Sequence, residues 1–395
     1  MRKLLATAVT AVTALAVTAC AADTGAERTD VSSPPPSCGG SGTAFSTAKA
    51  SAGAADLVAP GTALPTGDLL LDVGSTGELL VERGRDDTPG TDGAPATLRP
   101  GTLTVLDPAT GREQVVRDKK AVQPSTQTVF GDLDQEHVVW LEERGTKLDE
   151  SDWSIRAADR RTGKVGLLAQ ARPVNDKGLK PTVPGYTVPR LHDDTVYWAE
   201  ARAGAAGKPP TVGIYARPVD LSAPAKLVVP NAILPAVSGS WLYYAAFDAE
   251  NSTKPGYTIS RLSLRTGETE SVRRSETGPA ASYLTADGDV AAWALADGTV
   301  EVSKAPASPP VRITAAEGEQ LSWLSADQGL IGFGDGSGQA GGAYVFDLRR
   351  GCLHDLVHEG AGSDVVLGGS TVAWTVETED EQRWQIGTRR PGTSG

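Results

Sequence analysis

The sequence predicts an all-β chain folded as a seven-bladed β-propeller, with six blades as the alternative count and an N-terminal strand closing the last blade. Three observations predict it. The 395 residues include 45 glycines and 26 prolines, which is turn-rich but short of the roughly 25–30% expected of low-complexity disorder. Two short motifs recur at matched offsets along the chain. No segment shows a convincing helical period.

The first motif is a turn-like cluster followed by small or apolar residues and then an aromatic. It appears as His137-Val138-Val139-Trp140, Thr195-Val196-Tyr197-Trp198, Trp241-Leu242-Tyr243-Tyr244, Val290-Ala291-Ala292-Trp293, Leu330-Ile331-Gly332-Phe333 and Thr371-Val372-Ala373-Trp374. The terminal residues are spaced by 58, 46, 49, 40 and 41. Asp193-Asp194, Ser238-Gly239-Ser240, Asp287-Gly288-Asp289 and Gly368-Gly369-Ser370 precede copies of it, which is hairpin chemistry. Glu78-Leu79-Leu80-Val81 is a degenerate seventh copy at the front. Each aromatic reads as core between blades.

The second motif follows some 20 to 30 residues later: Asp107-Pro108-Ala109-Thr110-Gly111, Asp159-Arg160-Arg161-Thr162-Gly163, Ser263-Leu264-Arg265-Thr266-Gly267 and Asp347-Leu348-Arg349-Arg350-Gly351. Its first side chain can close a turn while Gly takes a positive φ, so each copy predicts a hairpin between the third and fourth strands of a unit. Asp220 to Pro224 and Ala305 to Pro309 occupy the same place in diverged form. Four short strands per unit, repeating every 40 to 60 residues, is a propeller signature.

This repeat resembles the TolB-like and quinoprotein-like propellers of bacterial cell-envelope proteins, from about Leu69 to Arg389. The resemblance implies a fold and no particular activity. Quinoprotein dehydrogenases usually continue the turn with a tryptophan that docks one blade on the next. Gln114-Val115-Val116 and Val165-Gly166-Leu167 stand there instead, which argues against a quinone cofactor.

Arg2 and Lys3, the apolar and small run from Leu4 to Val17, and Val17-Thr18-Ala19-Cys20 resemble a bacterial lipoprotein leader with its lipobox. The resemblance implies cleavage before Cys20 and a lipid anchor on its sulfur. The apolar run is too short for a membrane span, which needs about 20 residues. The expected organisation is a signal peptide at 1–19, a flexible spacer at 20–41 containing Pro34-Pro35-Pro36, and the propeller at 42–395.

Closure follows from what the last unit lacks. After Trp374 one more strand, near Trp384 to Arg389, precedes the terminal Pro391-Gly392-Thr393-Ser394-Gly395. The last blade is one strand short, and an open edge invites foreign pairing. Residues within Thr43 to Val58 are the expected donors. With Cys20 lipidated, Cys38 and Cys352 form an even pair in an oxidising compartment, expected to be a disulfide across this seam. Two separate free thiols are the alternative.

Chemistry is sparse. His354 and His358 are four apart, but Cys352 to Val357 reads as a strand, which sets them about 13 Å apart as surface histidines rather than metal ligands. Asp149-Glu150-Ser151-Asp152 and Glu377-Thr378-Glu379-Asp380-Glu381 read as solvated loops between second and third strands, without EF-hand spacing. The glycine-rich stretch from Gly332 to Gly338 has neither a lysine nor a strand-to-helix setting, and no GxSxG elbow is present. No catalytic, cofactor or metal residue is therefore assigned. A net charge of -12 argues against a nucleic-acid partner.

The function expected is a membrane-anchored, extracytoplasmic binding or scaffold module for a protein, peptide or glycan. The alternative is an extracytoplasmic lyase or hydrolase with its site at the central channel. The channel lining discriminates the two, since convergent His, Arg, Tyr and carboxylates favour an enzyme.

Overall fold

The computed structural model describes Cys38 and residues 43–390, apart from 51, 89–96, 124, 145–151, 175–177, 179, 181–186, 205–209, 247–255, 305, 307, 318, 336–340, 358–361 and 378–381. Seven antiparallel sheets follow one another along the chain: blade 1 at 69–117, blade 2 at 126–170, blade 3 at 190–230, blade 4 at 232–275, blade 5 at 281–314, blade 6 at 321–355 and blade 7 at 365–389. This is the expected seven-bladed β-propeller. Within blades 1 to 6 the strands pair in sequence order, so the first lies innermost and the fourth outermost. A small extra hairpin, Asp86–Thr88 with Thr97–Arg99, extends the loop between the second and third strands of blade 1.

The two motifs produce this order locally. The motif glycines Gly111, Gly163, Gly267 and Gly351 have φ between 62° and 76°, a region where other residues are strained. Their N–H groups donate to the carbonyls of Asp107, Asp159, Ser263 and Asp347 at 2.8 to 2.9 Å. The first side chain closes each turn, as where Asp159 Oδ1 accepts the N–H groups of Arg161 and Thr162, both at 2.8 Å. All four copies lie between third and fourth strands.

The aromatic motif lies on the second strand of its blade, and Trp140, Trp198, Trp293 and Phe333 are fully buried. Seven apolar clusters fill the seven interfaces between successive blades. Trp140 lies in the cluster shared by blades 1 and 2, Trp198 between blades 2 and 3, and Trp293 between blades 4 and 5. The seventh joins blade 7 to blade 1 through Ala373, Trp384 and Ile386 against Leu70, Leu79 and Val81. Because every blade presents apolar side chains on both faces, only a closed ring covers them all.

Closure uses the N-terminal segment in a way that partly corrects the expected donor range of Thr43 to Val58. The fourth strand of blade 7 is Val58–Ala63, antiparallel to Gln382–Arg389. The residues before it serve other blades. Ala44–Ser46 adds a parallel fifth strand to blade 5 and Ala52–Gly53 a parallel fifth strand to blade 6. The segment is thus a strap over three blades, pinned by the buried Leu57, Val58 and Leu64. The reason is geometric: blades 5 and 6 have short outer strands of four residues, and pairing them with the strap covers both edges.

Cys38 and Cys352 form the expected disulfide, with Cα atoms 5.3 Å apart. Cys352 opens the outer strand of blade 6, so the bond fastens the start of the strap to that blade. The strap also corrects the expectation of surface histidines. His354 is 1% exposed because Ala52–Gly53 covers its strand, and its Nδ1 lies 3.5 Å from the Gly53 carbonyl. His358, Cys20 and most of the spacer lie outside the described residues.

Candidate functional site

The first strands of the blades surround a central cavity of about 860 Å³. Five of them carry a β-bulge: between Leu70 and Asp72, Thr128 and Phe130, Ile233 and Ala236, Ala281 and Tyr283, and Ser322 and Ser325. A bulge in a strand facing a cavity re-aims side chains. The cavity wall is accordingly uneven in chemistry, both around its circumference and along its axis.

At one level around the circumference, charged residues come from three adjacent blades. Asp72, Asp132 and Arg190 occupy the same register, opposite Leu80, Val139 and Tyr197 on their second strands. The corresponding residues of blades 4 to 7 are Ala236, Thr285, Ser325 and Val366. All seven line the cavity. Asp132 Oδ2 accepts the Leu191 N–H at 2.8 Å, which orients that carboxylate.

Asp72 and Asp132 share a hydrogen bond, which raises the pKa of Asp72 and lowers that of Asp132. Although each keeps some surface on the cavity, enclosure by the wall penalises charge. Desolvation, then the Asp132 charge, push the Asp72 carboxyl well above the usual carboxylate range, while Arg190 opposes the shift. Desolvation also raises Asp132, against the pull of Arg190 and the Leu191 hydrogen bond. The trio therefore sets two hydrogen-bonded carboxyls beside a guanidinium, an arrangement that can bind a polar group or exchange a proton.

Along the axis, one end is aromatic. Phe130 and Tyr283 face Leu141 and Ala294, each one residue past the buried aromatic of its second strand. Trp323 lies inside the blade 6 bulge with φ of +53° and is 38% exposed. Its ring centroid is 5.6 Å from that of Phe130 and 5.3 Å from that of Tyr283, both tilted by 42°. The other end, at the hairpins between first and second strands, is polar, with Asp134, His192, Ser238, Asp287 and Asp327.

One mixed cluster at that polar end has ligand geometry for a divalent ion. Candidate ligand atoms of Glu136, His137 and Asp194 lie within 4.8 Å of one another. His137 Nδ1 approaches Asp194 Oδ1 to 3.4 Å and Asp134 Oδ1 to 3.8 Å.

The sequence assigned no catalytic residue, and it missed the cavity residues because they come from separate repeats. A partial signal was present: Asp72 interrupts the apolar first strand of blade 1, and Asp72, Asp132 and Arg190 each stand two or three residues before the turn that follows. Of the acidic runs singled out in the sequence, Asp152 pairs with Arg144 and Lys180, Glu377 ends the second strand of blade 7, and 149–151 and 378–381 lie outside the described residues. The departure from the quinoprotein pattern is visible too, with Val115, Val165 and Leu167 exposed on outer strands.

No protein-family model and no curated protein matches the chain in sequence. Among solved structures it is similar to a chain from a structural and mechanistic analysis of two prolyl endopeptidases, at TM-score 0.54 and 11% identity, covering 85% of this chain and 50% of that one. It is also similar to a chain in a crystal structure of the mitotic checkpoint complex, at TM-score 0.50 and 12% identity, covering 84% and 92%. The β-propeller domain of the trilobed protease from Pyrococcus furiosus is more distant, at TM-score 0.46 and 11% identity, covering 66% and 80%. At such identities the likeness shows the fold alone. The chain spans half the length of the endopeptidase chain it matches.

Proposed function

We propose that this chain is a lipid-anchored, extracytoplasmic binding protein whose propeller admits part of a protein, peptide or glycan partner into its central channel. One observation carries the reading: a cavity of about 860 Å³ that combines an exposed, conformationally strained tryptophan with a charged trio in its wall. A left-handed non-glycine residue costs on the order of 1–3 kcal/mol and clusters at functional sites, and a concave site with convergent polar groups beside aromatic surface is where ligands bind. The anchor rests on Arg2, Lys3, the apolar run and Cys20, and the resemblance to envelope propellers supports the same setting.

Two experiments test it. Native mass spectrometry of the protein extracted from membranes should find a retained ligand that Trp323→Ala loses; equal retention by the variant rejects the channel. Cys20→Ala should release the protein from membranes or leave it unprocessed, and normal processing with membrane fractionation rejects the anchor.

A second reading, an extracytoplasmic lyase or hydrolase, is favoured by one feature. Asp72 and Asp132 form a hydrogen-bonded carboxyl pair beside Arg190, both raised by burial, a pairing suited to general acid and base work. Under that reading Asp132→Asn retains the ligand and abolishes its turnover. Turnover unchanged by both Asp72→Asn and Asp132→Asn removes it.

A further inference from the structure

We infer that the channel recognises an organic cation, an ammonium or guanidinium group carried by its ligand. The inference rests on the channel being the binding site and adds the chemical class.

Three aromatic rings from blades far apart in sequence meet at one end of the cavity. Phe130 comes from blade 2, Tyr283 from blade 5 and Trp323 from blade 6. Each lies at or within the bulge of its own first strand. Three independent irregularities thus deliver three π surfaces to one place, and the largest adopts a left-handed backbone to reach it. The two neighbours tilt against Trp323 rather than covering it, so 38% of its surface stays open inside the cavity. The other tryptophans recorded as buried, such as Trp140, Trp198 and Trp293, sit in the seams between blades. An open indole flanked by phenyl and phenol rings is the arrangement that attracts a weakly hydrated cation.

Charge selects the same class. Among the described residues lining the cavity, nine carry carboxyl groups and a single one, Arg190, carries a guanidinium. Some of these carboxyls are already engaged: Asp72 and Asp132 share a hydrogen bond beside Arg190, and Asp327 pairs with Arg389 at 3.2 Å. Asp364, which accepts the Ser363 hydroxyl at 2.8 Å, stands just before the first strand of blade 7, and Asp134, Glu136, Asp193, Asp194 and Asp287 remain at the polar mouth. A cleft mouth lined by one sign of charge concentrates ions of the other sign. A cation drawn through that mouth meets carboxylates first and the aromatic rings at the far end. An anionic or strongly hydrated neutral ligand gains nothing from either end.

The test is isothermal titration calorimetry of the full chain with choline, its uncharged isostere 3,3-dimethylbutanol, spermidine and glutarate, repeated with Trp323→Ala and Tyr283→Leu. Trp323 belongs to no apolar cluster between blades, while Tyr283 packs against the edge of the one between blades 5 and 6, so a melting temperature near wild type checks the folding of both variants. Choline and spermidine should bind at least tenfold more tightly than 3,3-dimethylbutanol and glutarate, weaken as salt is added, and lose at least tenfold in both variants. Equal binding of choline and its isostere, or preferential binding of glutarate, that still depends on Trp323 overturns the cation class and leaves the channel reading standing. Cation binding indifferent to both substitutions overturns both. Absence of binding by every probe overturns the cation inference, while the ligand retained on extraction still judges the channel.

Discussion

Replacing Cys38 by Ser removes the covalent pin of the strap without opening a hole in the core, because Cys38 is only half-buried while Cys352 is buried. The bond spans 314 positions of sequence. Releasing a loop of that length returns about 19 cal/mol/K to the unfolded chain, or about 5.7 kcal/mol at 25 °C as an upper bound. At about 2.1 cal/mol/K of unfolding entropy per residue, the roughly 350 residues of the propeller convert this to a fall of about 8 °C at most. Residual structure in the unfolded chain reduces it, so the expected drop is about 3–8 °C. Leu57, Val58 and Leu64 still bury their side chains, so the ring stays closed near room temperature and the loss shows as local opening. Differential scanning calorimetry of wild type and Cys38→Ser, with and without reductant, measures the first effect. Hydrogen exchange across 44–63 measures the second. A wild type indifferent to reductant, melting with the variant and showing the same exchange, would refute the reasoning.

Three further outcomes are expected. Arg117 bridges Glu82 at 2.8 Å and Glu142 at 3.0 Å across the seam between blades 1 and 2; Arg117→Ala leaves Glu142 its Arg156 partner at 2.8 Å but strips the fully buried Glu82 of its cation, so chemical denaturation should show a loss of about 3–5 kcal/mol. His354 has its imidazole pKa lowered from 6.5 by burial, against the opposing pull of the Gly53 carbonyl, Asp347 and Asp56 and with Arg350 adding to the fall. The unfolded chain therefore takes up the proton first, and stability present above 6.5 is lost as pH falls below it; His354→Phe should flatten the fall in melting temperature between pH 7 and 5. Asp72 titrates in the opposite sense. Its raised pKa makes the native state the better proton binder above 3.8, so stability declines as pH rises through the shifted value. Asp72→Asn should raise the melting temperature at pH 7 and leave it unchanged near pH 3.5, which pH-resolved calorimetry checks.

Much of this molecule is legible in the chain because its information is local. A positive-φ glycine four residues after Asp or Ser dictates a hairpin wherever it stands, and the aromatic on the second strand of blades 2 to 7 is buried because every blade has a neighbour on both sides. The missing strand of blade 7 could be counted from the sequence, and two cysteines were left to fasten the seam. The donor's position was less legible. Ala44–Ser46 and Val58–Ala63 are both short and apolar enough to pair with either edge, and the lengths of the outer strands in blades 5 and 6 determine which part pairs where.

The sequence alone determined the ring, since repeated short-range turns and alternating strands carry the same instruction seven times. Only the tertiary structure decided what the ring encloses. Asp72, Asp132 and Arg190 lie 60 and 58 residues apart along the chain, and Phe130, Tyr283 and Trp323 span nearly two hundred. No spacing rule reaches across such distances. These groups meet because closing seven blades brings every first strand to one axis, and because bulges in five of those strands set which side chains turn inward.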